Sequence, residues 1–161
     1  MKLYLMQHGQ AKSKKEDPDR PLTEKGQEEV EFISAFVARH LTISIDQIMH
    51  SGKMRAQETA ELAAEQFRPA KGIIIGEDLD PMADPNLWVQ RLAGMDDDIM
   101  LVGHLPHLEK LTTLLVCDRT DGRPVGFQMG GIVCLNRDEQ RAWSLEWMLT
   151  PDILKPGPKT S

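Results

Sequence analysis

Apolar and polar positions form two patterns along the chain: short apolar runs, and stretches with an apolar residue every three or four positions. The short runs predict strands, which cover residues 2–7, 47–50, 72–76, 99–102, 130–136 and 142–149. The longer period predicts helices, which run from Thr23 to about residue 41 and over about 54–67, 86–92 and 106–116. Thr23 has the side chain of a helix N-cap, and Pro106 suits a first helical turn. Strands and helices therefore alternate as far as about residue 116, and two strands follow.

This order of elements predicts the fold class. A strand–helix–strand alternation favours a mainly parallel central sheet with helices on both faces, so we expect a three-layer α/β/α protein. The 161 residues fit one domain, which we place at residues 1–150. Residues 151–161 contain three prolines and few apolar residues, and we expect a weakly ordered tail there. On the second helix, the expected inner residues are Met54, Thr59, Leu62 and Ala63.

Composition and charge narrow the classes of function. The net charge of −6 disfavours nucleic acid as a partner, so any anion site has to be built locally. No apolar run approaches the roughly 20 residues that a membrane span needs, and the first residues resemble a strand more than a signal peptide. The two cysteines, Cys117 and Cys134, lack metal-type spacing. We therefore expect reduced thiols in a cytoplasmic protein with no membrane partner.

Histidine, arginine and glycine residues follow three of the predicted strands. Such sheets bind ligands beyond the carboxyl ends of their strands. Gln7-His8-Gly9 ends the first strand, HSGKMR at residues 50–55 ends the second, and Gly103-His104-Leu105-Pro106 ends the fourth. We therefore expect His8, Arg55 and His104 to lie at one edge of the sheet.

Two imidazoles, a guanidinium and helix N-termini at one edge suit a phosphate group. Helix N-termini provide free N–H groups, and Arg55 can bind two phosphate oxygens through its planar fork. A neutral imidazole can attack phosphorus and form a covalent intermediate, while a second, protonated imidazole stabilises charge on the oxygens. Gly9 would let the backbone pass close to the ligand. No cofactor is required for this chemistry.

The same residues carry a family resemblance. QHG after the first strand, SGKMRAQET after the second and VGHLP after the fourth resemble the histidine phosphatase superfamily. The segments DRPLTEKG and WMLTPDILK are similar to its SixA-type phosphohistidine phosphatase branch. The resemblance implies a phosphoglycerate mutase-like fold, with His8 as the nucleophile and with Arg55 and His104 completing the phosphate pocket. It also implies a phosphohistidine-bearing protein as the partner and substrate.

The chain departs from the family pattern at one position. The family motif is usually Arg-His-Gly, and Gln7 stands where that arginine would be. Glutamine still offers neutral hydrogen bonds, so we keep Gln7 as a phosphate ligand, but charge-assisted bonds are about twice as strong. Arg20, in the loop before the first helix, is a further candidate ligand. The family's usual general acid has three candidates that the sequence does not separate, Asp78, Asp80 and Asp84.

Other interpretations of these residues stay open. His8 and His104 taken singly could be structural histidines, and only their shared edge with Arg55 favours catalysis. The spacing of His104 and His107 suits a metal, but further ligands are missing and we expect no metal site. The alternatives for function are a phosphatase for small phosphomonoesters and a phosphate- or phosphohistidine-binding module weakened by Gln7.

Overall fold

The protein forms six strands and four helices in a computed structural model, which describes residues 1–119 and 121–154. The strands are β1 (Lys2–Gln7), β2 (Gln47–His50), β3 (Ile73–Ile75), β4 (Ile99–Gly103), β5 (Ile132–Arg137) and β6 (Trp143–Leu149). The helices are α1 (Glu24–His40), α2 (Met54–Phe67), α3 (Pro85–Ala93) and α4 (His107–Cys117). Every predicted element is present, with ends that shift by a few residues at most.

All six strands belong to one sheet in the order β3-β2-β4-β1-β5-β6. The pairs β3·β2, β2·β4 and β4·β1 are parallel, whereas β1·β5 and β5·β6 are antiparallel. The parallel pairs need crossovers, and helices α1 to α3 provide them. The predicted α/β class with a mainly parallel sheet is therefore confirmed.

Alternation along β1 divides the core into two layers. Tyr4 and Met6 pack with α1 and α2, while Leu3 and Leu5 pack with α3 and α4. All four side chains are at most 1% exposed. A strand buried on both faces is expected where helices cover both sides of a parallel sheet. The sheet edge carrying the strand ends is therefore held rigidly by two packed helical layers.

Two local predictions differ from the structure. Met54, expected on the inner face of α2, is 40% exposed because it stands in the first turn, before α2 packs against α1. The final hairpin turns at residues 138–142, where Asp138 accepts a hydrogen bond from the backbone N–H of Ala142. Register between β5 and β6 shifts at Cys134/Leu135, so that β5 continues to Arg137.

The chain beyond β6 begins as a turn packed on the domain. Pro151 is buried and its Cγ lies near Gly130, and Leu154 packs against the layer under α1 and α2. The rest of the predicted weakly ordered tail, residues 155–161, lies outside the described residues. Within the described part of the chain, no helix is both long and apolar enough to cross a membrane.

We expect Gly26→Ala to destabilise the protein by about 1–3 kcal/mol, the usual cost of overpacking. A Cβ at Gly26 would lie 2.1 Å from the backbone oxygen of Gln10, and backbone cannot yield as a flexible side chain can. Gly126→Ala is the matched control, because a Cβ there meets nothing within 4 Å. Urea denaturation of both variants measures the difference, and equal stabilities would contradict the proposed contact between α1 and the chain after β1.

Candidate active site

The ends of β1, β2 and β4 lie side by side because the three strands are in parallel register. Gln7 pairs with Gly103 and His50 pairs with Val102. The backbone N–H of His8 donates to the oxygen of Gly103 at 3.1 Å, which extends the pairing by one residue. This register places His8 next to His104, and α2 starts from the end of β2 with Arg55 in its first turn. The three residues predicted to share an edge do so.

The His8 ring is held in one tautomer. Its Nδ1–H donates to the backbone oxygen of Gly9 at 2.7 Å, and its Nε2 accepts from Nε–H of Arg55 at 3.2 Å. The lone pair on Nε2 therefore points toward the guanidinium. An imidazole whose Nδ1 carries the proton and whose Nε2 keeps its lone pair is the form that attacks an electrophile.

Thr59 connects the chain just after β1 to α2, a role that the sequence analysis missed. Its hydroxyl accepts from the backbone N–H of Gly9 at 3.0 Å and donates to the backbone oxygen of Arg55 at 2.7 Å. The side chain is fully buried. This bridge fixes the distance between the end of β1 and the first turn of α2. The only available sequence signal was a hydroxyl four residues after Arg55, on the same helix face.

His104 lies across from His8 and is 2% exposed. The centroids of the two rings are 5.0 Å apart, with planes inclined by 55°. Ser51 Oγ lies 2.6 Å from Nε2 of His104, and among the described residues its buried Nδ1 has no hydrogen-bond partner. Ser51, another residue missed by the sequence analysis, orients the ring. The pair of rings is spaced to contact one tetrahedral anion from two sides.

Both imidazoles are neutral near pH 7 in this arrangement. The pKa of His8 is lowered to about 4, mainly by burial; the bond to Gly9 opposes this shift, and the charges of Arg55 and Arg20 add to it. Burial also lowers the pKa of His104 to about 3, helped by the neighbouring His8 and Arg55. Neutral His8 keeps the lone pair that nucleophilic attack requires. Partial burial likewise lowers the pKa of Arg55, and the charge of Arg20 adds to this shift.

Arg20 lies within electrostatic reach of the trio. Its charge lowers the pKa of both His8 and Arg55, and its Nε–H donates to the backbone oxygen of Lys12 at 3.1 Å. The backbone of Arg20 has a φ of 53°, which belongs to the left-handed region. The loop thus places a second guanidinium near enough to act on His8 and Arg55, and the role of Arg20 as a phosphate ligand stays a prediction.

The three candidate acids occupy different environments. Asp78 pairs with Arg91 at 2.5 Å, and Asp84 caps α3 by accepting from the backbone N–H of Asn86. Asp80 pairs with Lys53 at 2.9 Å, and its charge acts on both His104 and Arg55. Asp80 is therefore the carboxylate nearest to the trio electrostatically, although it is engaged by a lysine.

Gly9 has a packing role that differs from the expected one. A Cβ there would lie 2.9 Å from Cγ2 of Val30 and 3.0 Å from the backbone oxygen of Gly26, both on α1. The space above Gly9 is therefore filled by the helix. The glycine lets α1 approach the end of β1, and its role as a close backbone neighbour of the ligand stays a prediction.

Gln7 faces a cavity of about 370 Å³. Its Oε1 is buried and accepts no hydrogen bond from the described residues. The described residues lining the cavity do not include His8, Arg55 or His104. Gln7 therefore stands between the histidine pair and a neighbouring hollow, and the structure alone leaves its role as phosphate ligand a prediction.

His107 is fully buried at the start of α4. Within the described residues, neither of its ring nitrogens has a hydrogen-bond partner. The same part of the chain contains no cluster of three or more His, Cys, Asp or Glu side chains able to hold a metal ion. The spacing of His104 and His107 thus reflects helix packing.

The family model of the histidine phosphatase superfamily (branch 1) matches residues 3–83, about half of the chain. The chain belongs to this superfamily. The matched segment contains His8 and Arg55, whereas His104 lies beyond it and is placed by the geometry. Membership of the superfamily supports a phosphatase activity for this protein.

Known proteins are similar to this chain over nearly its whole length. An uncharacterized protein of Picosynechococcus sp. is 31% identical over 149 residues, which cover 88% of each chain. The protein histidine phosphatase SixA complexed with tungstate is 25% identical with a TM-score of 0.82, covering 96% of this chain and 100% of that one. An alpha-ribazole phosphatase from Shigella flexneri, 16% identical, has a TM-score of 0.73 over 94% of this chain and 97% of its own. This last likeness concerns the fold alone.

We expect stability to fall as the pH drops from about 6.5 toward 4. The pKa of His8 is about 4 in the folded protein and 6.5 ordinarily, so the unfolded chain binds more protons between these values. The stability contributed by neutral His8 is therefore complete above pH 6.5 and is lost as the pH falls. Urea denaturation at pH 7.5, 6 and 5 measures this slope.

His8→Gln removes the titrating ring and should reduce that slope, while other buried histidines keep part of it. His40→Gln, at an exposed position of α1, is the control and should retain the wild-type slope. An unchanged slope in His8→Gln would show that His8 is not held neutral by burial.

Proposed function

We propose that the protein removes phosphate from phosphohistidine on a partner protein, through a covalent phosphohistidine intermediate at His8. The observation that carries the proposal is the neutral His8 ring with Nε2 directed at Arg55 and the His104 ring 5.0 Å away. A SixA structure that is 25% identical to this chain is complexed with tungstate, a tetrahedral oxyanion like phosphate, which supports a phosphate-like substrate. The site also brings together a nucleophile (His8), a cation (Arg55) and a second imidazole (His104).

In the proposed first step, Nε2 of His8 attacks the phosphorus of a phosphoryl group that lies between the two rings, and the bond from phosphorus to the substrate's ring nitrogen breaks as the new bond forms. The Arg55 fork leaves Nε2 and binds two phosphoryl oxygens, an exchange that replaces a neutral acceptor with an anionic one. The incoming dianion raises the pKa of His104, because a nearby opposite charge favours the protonated form. His104 then stabilises the charge that develops on the oxygens. Water cleaves the new phosphorus–nitrogen bond in the second step.

The leaving group favours phosphohistidine over an alkyl ester. An alkoxide needs a proton from an acid as the bond to phosphorus breaks, but Asp78, Asp80 and Asp84 are each engaged in an ion pair or a helix cap. When phosphohistidine is protonated at its second ring nitrogen, breaking the phosphorus–nitrogen bond releases a neutral histidine imidazole without that help. The engaged carboxylates therefore support a phosphoramidate substrate.

A phosphatase for small phosphomonoesters is the second candidate, favoured by the nearness of Asp80. The ion pair with Lys53 is exposed, and such pairs are worth only about 0–1 kcal/mol. A substrate could therefore release Asp80 to act as an acid. Incubation with a phosphohistidine-bearing carrier protein and, separately, with phosphomonoesters distinguishes the two candidates by the rate of phosphate release. No release from either would leave a binding module.

His8→Ala should abolish phosphate release and the covalent intermediate while leaving the fold intact. Brief reaction with ³²P-labelled phosphohistidine protein, followed by denaturation, should trap an acid-labile label on the wild type. His40→Ala serves as the control, because His40 is exposed on α1 and far along the chain from the site. Labelling of His8→Ala at the wild-type level would exclude His8 as the nucleophile.

Arg55→Ala should weaken binding of vanadate by about 1.5–3 kcal/mol, the range for a hydrogen bond to a charged group. His104→Ala should lower kcat more than it weakens vanadate binding, since its N–H is aimed at charge that grows in the transition state. Inhibition constants and kcat are compared with those of Arg39→Ala, an exposed arginine of α1. Wild-type values in both site variants would contradict the shared pocket.

Gln7→Arg should tighten vanadate binding and make it more dependent on salt. A second guanidinium beside Arg55 attracts the bound anion, and this attraction is screened as ionic strength rises. In the empty pocket the two cations repel each other, so the unliganded variant should be slightly less stable. Gln7→Ala should weaken binding by about 0.5–1.5 kcal/mol. Identical inhibition constants in all three proteins would place Gln7 outside the phosphate pocket.

A further inference from the structure

The cavity that Gln7 faces adjoins the pair formed by His8 and His104. It has a volume of about 370 Å³, which is at the lower end of the range for ligand pockets. Its wall includes three glutamines, Gln7, Gln10 and Gln128, and the apolar side chains of Phe127 and Met129. None of these residues takes part in the chemistry proposed for His8, except Gln7 at the boundary.

Backbone hydrogen bonds fix the position of this cavity beside the nucleophile. The N–H of Gly130 donates to the backbone oxygens of Gln7 and His8, at 3.0 and 3.2 Å. The loop that contains Phe127 and Gln128 is therefore attached to the end of β1. Leu105, which directly follows His104, lines the same cavity. Gln7 and Leu105, the chain neighbours of His8 and His104, therefore both line this cavity, which places it next to a group bonded to a phosphoryl on His8.

Charge excludes a second anion from the cavity. Its ionisable lining residues are Lys25, Glu29 and Asp152, which carry one positive and two negative charges. Lys25 lies 3.8 Å from Glu29 on the next turn of α1, so its charge is already paired. The formal charges of these lining residues sum to −1, so the lining offers a second phosphate or carboxylate group no net positive charge. A neutral occupant needs none.

The three amide side chains match a peptide backbone. Each amide can donate and accept, as each peptide unit does, and rotation of an amide exchanges the two roles. Oε1 of Gln7 has no partner among the described residues and would gain one from an N–H after such a rotation. Phe127 and Met129 provide apolar surface for one side chain next to the backbone. The lining therefore combines hydrogen bonds to main chain with an apolar contact.

We propose that this cavity binds the peptide segment flanking phosphohistidine in a substrate protein. The inference rests on the proposed function, because it places the phosphoryl group between His8 and His104. It assigns Gln128 and Met129 as residues that select a protein-borne phosphohistidine over the free amino acid. Gln7 forms the boundary between the phosphoryl group and the peptide.

The test compares free phosphohistidine, a neutral peptide with a central phosphohistidine, and glucose 6-phosphate as substrates. The wild type should have a kcat/KM at least tenfold higher for the peptide than for free phosphohistidine. Gln128→Leu and Met129→Ala should each lower this ratio at least fivefold. Both positions are exposed, so their substitution is compatible with folding. Gln66→Leu, at an exposed glutamine of α2, is the matched control and should keep the wild-type ratio.

Each result separates this inference from the function on which it rests. If the wild type hydrolyses free phosphohistidine and the peptide with equal kcat/KM, the peptide site alone is overturned. The same follows if the ratio of the two kcat/KM values is unchanged in both Gln128→Leu and Met129→Ala. Turnover of neither phosphohistidine substrate would overturn the proposed function and the peptide site together. Preferred hydrolysis of glucose 6-phosphate that falls in Gln128→Leu would overturn the peptide site and assign the cavity to a small ester.

Discussion

The positions of His8, Arg55 and His104 depend on the parallel pairing of β4 with β1 on one side and with β2 on the other. This pairing sets the ends of three strands in register, so that His8, Ser51 and His104 follow strands that stop at the same edge. Burial on both sheet faces fixes that register, since a slip of one residue would turn Leu3 and Leu5 into the layer of Tyr4 and Met6. Thus the two hydrophobic layers determine where the imidazoles meet.

Electrostatics at this edge follow from the same packing. Two imidazoles and a guanidinium are brought together out of water, and burial lowers the pKa of each. The empty site therefore holds little positive charge on its histidines and a neutral nucleophile. In the proposed mechanism, an arriving dianion favours protonation of His104, while the lone pair of His8 is already available. Affinity for the anion and reactivity toward it are built from one set of contacts.

The cavity beside Gln7 gives a physical account of the departure from the family motif. An arginine would bring a further cation to a pocket that already holds Arg55 and has Arg20 in electrostatic reach. Glutamine avoids that repulsion and offers an amide to a neighbouring neutral group. In this proposal, some affinity for phosphate is exchanged for recognition of the chain that carries it. The engaged carboxylates at Asp78, Asp80 and Asp84 fit the same substrate class.

The sequence by itself determined the element order, the α/β class and the trio at the edge. Periodicity shows which residues are buried, and the strand-end rule needs only the order of elements. Tertiary structure alone decided the roles of Thr59 and Ser51, the packing of α1 on Gly9, and the cavity at Gln7. These depend on contacts between residues far apart in the chain, such as Gly9 with Thr59. A local pattern cannot encode such contacts, because their geometry exists only after the helices have packed on the sheet.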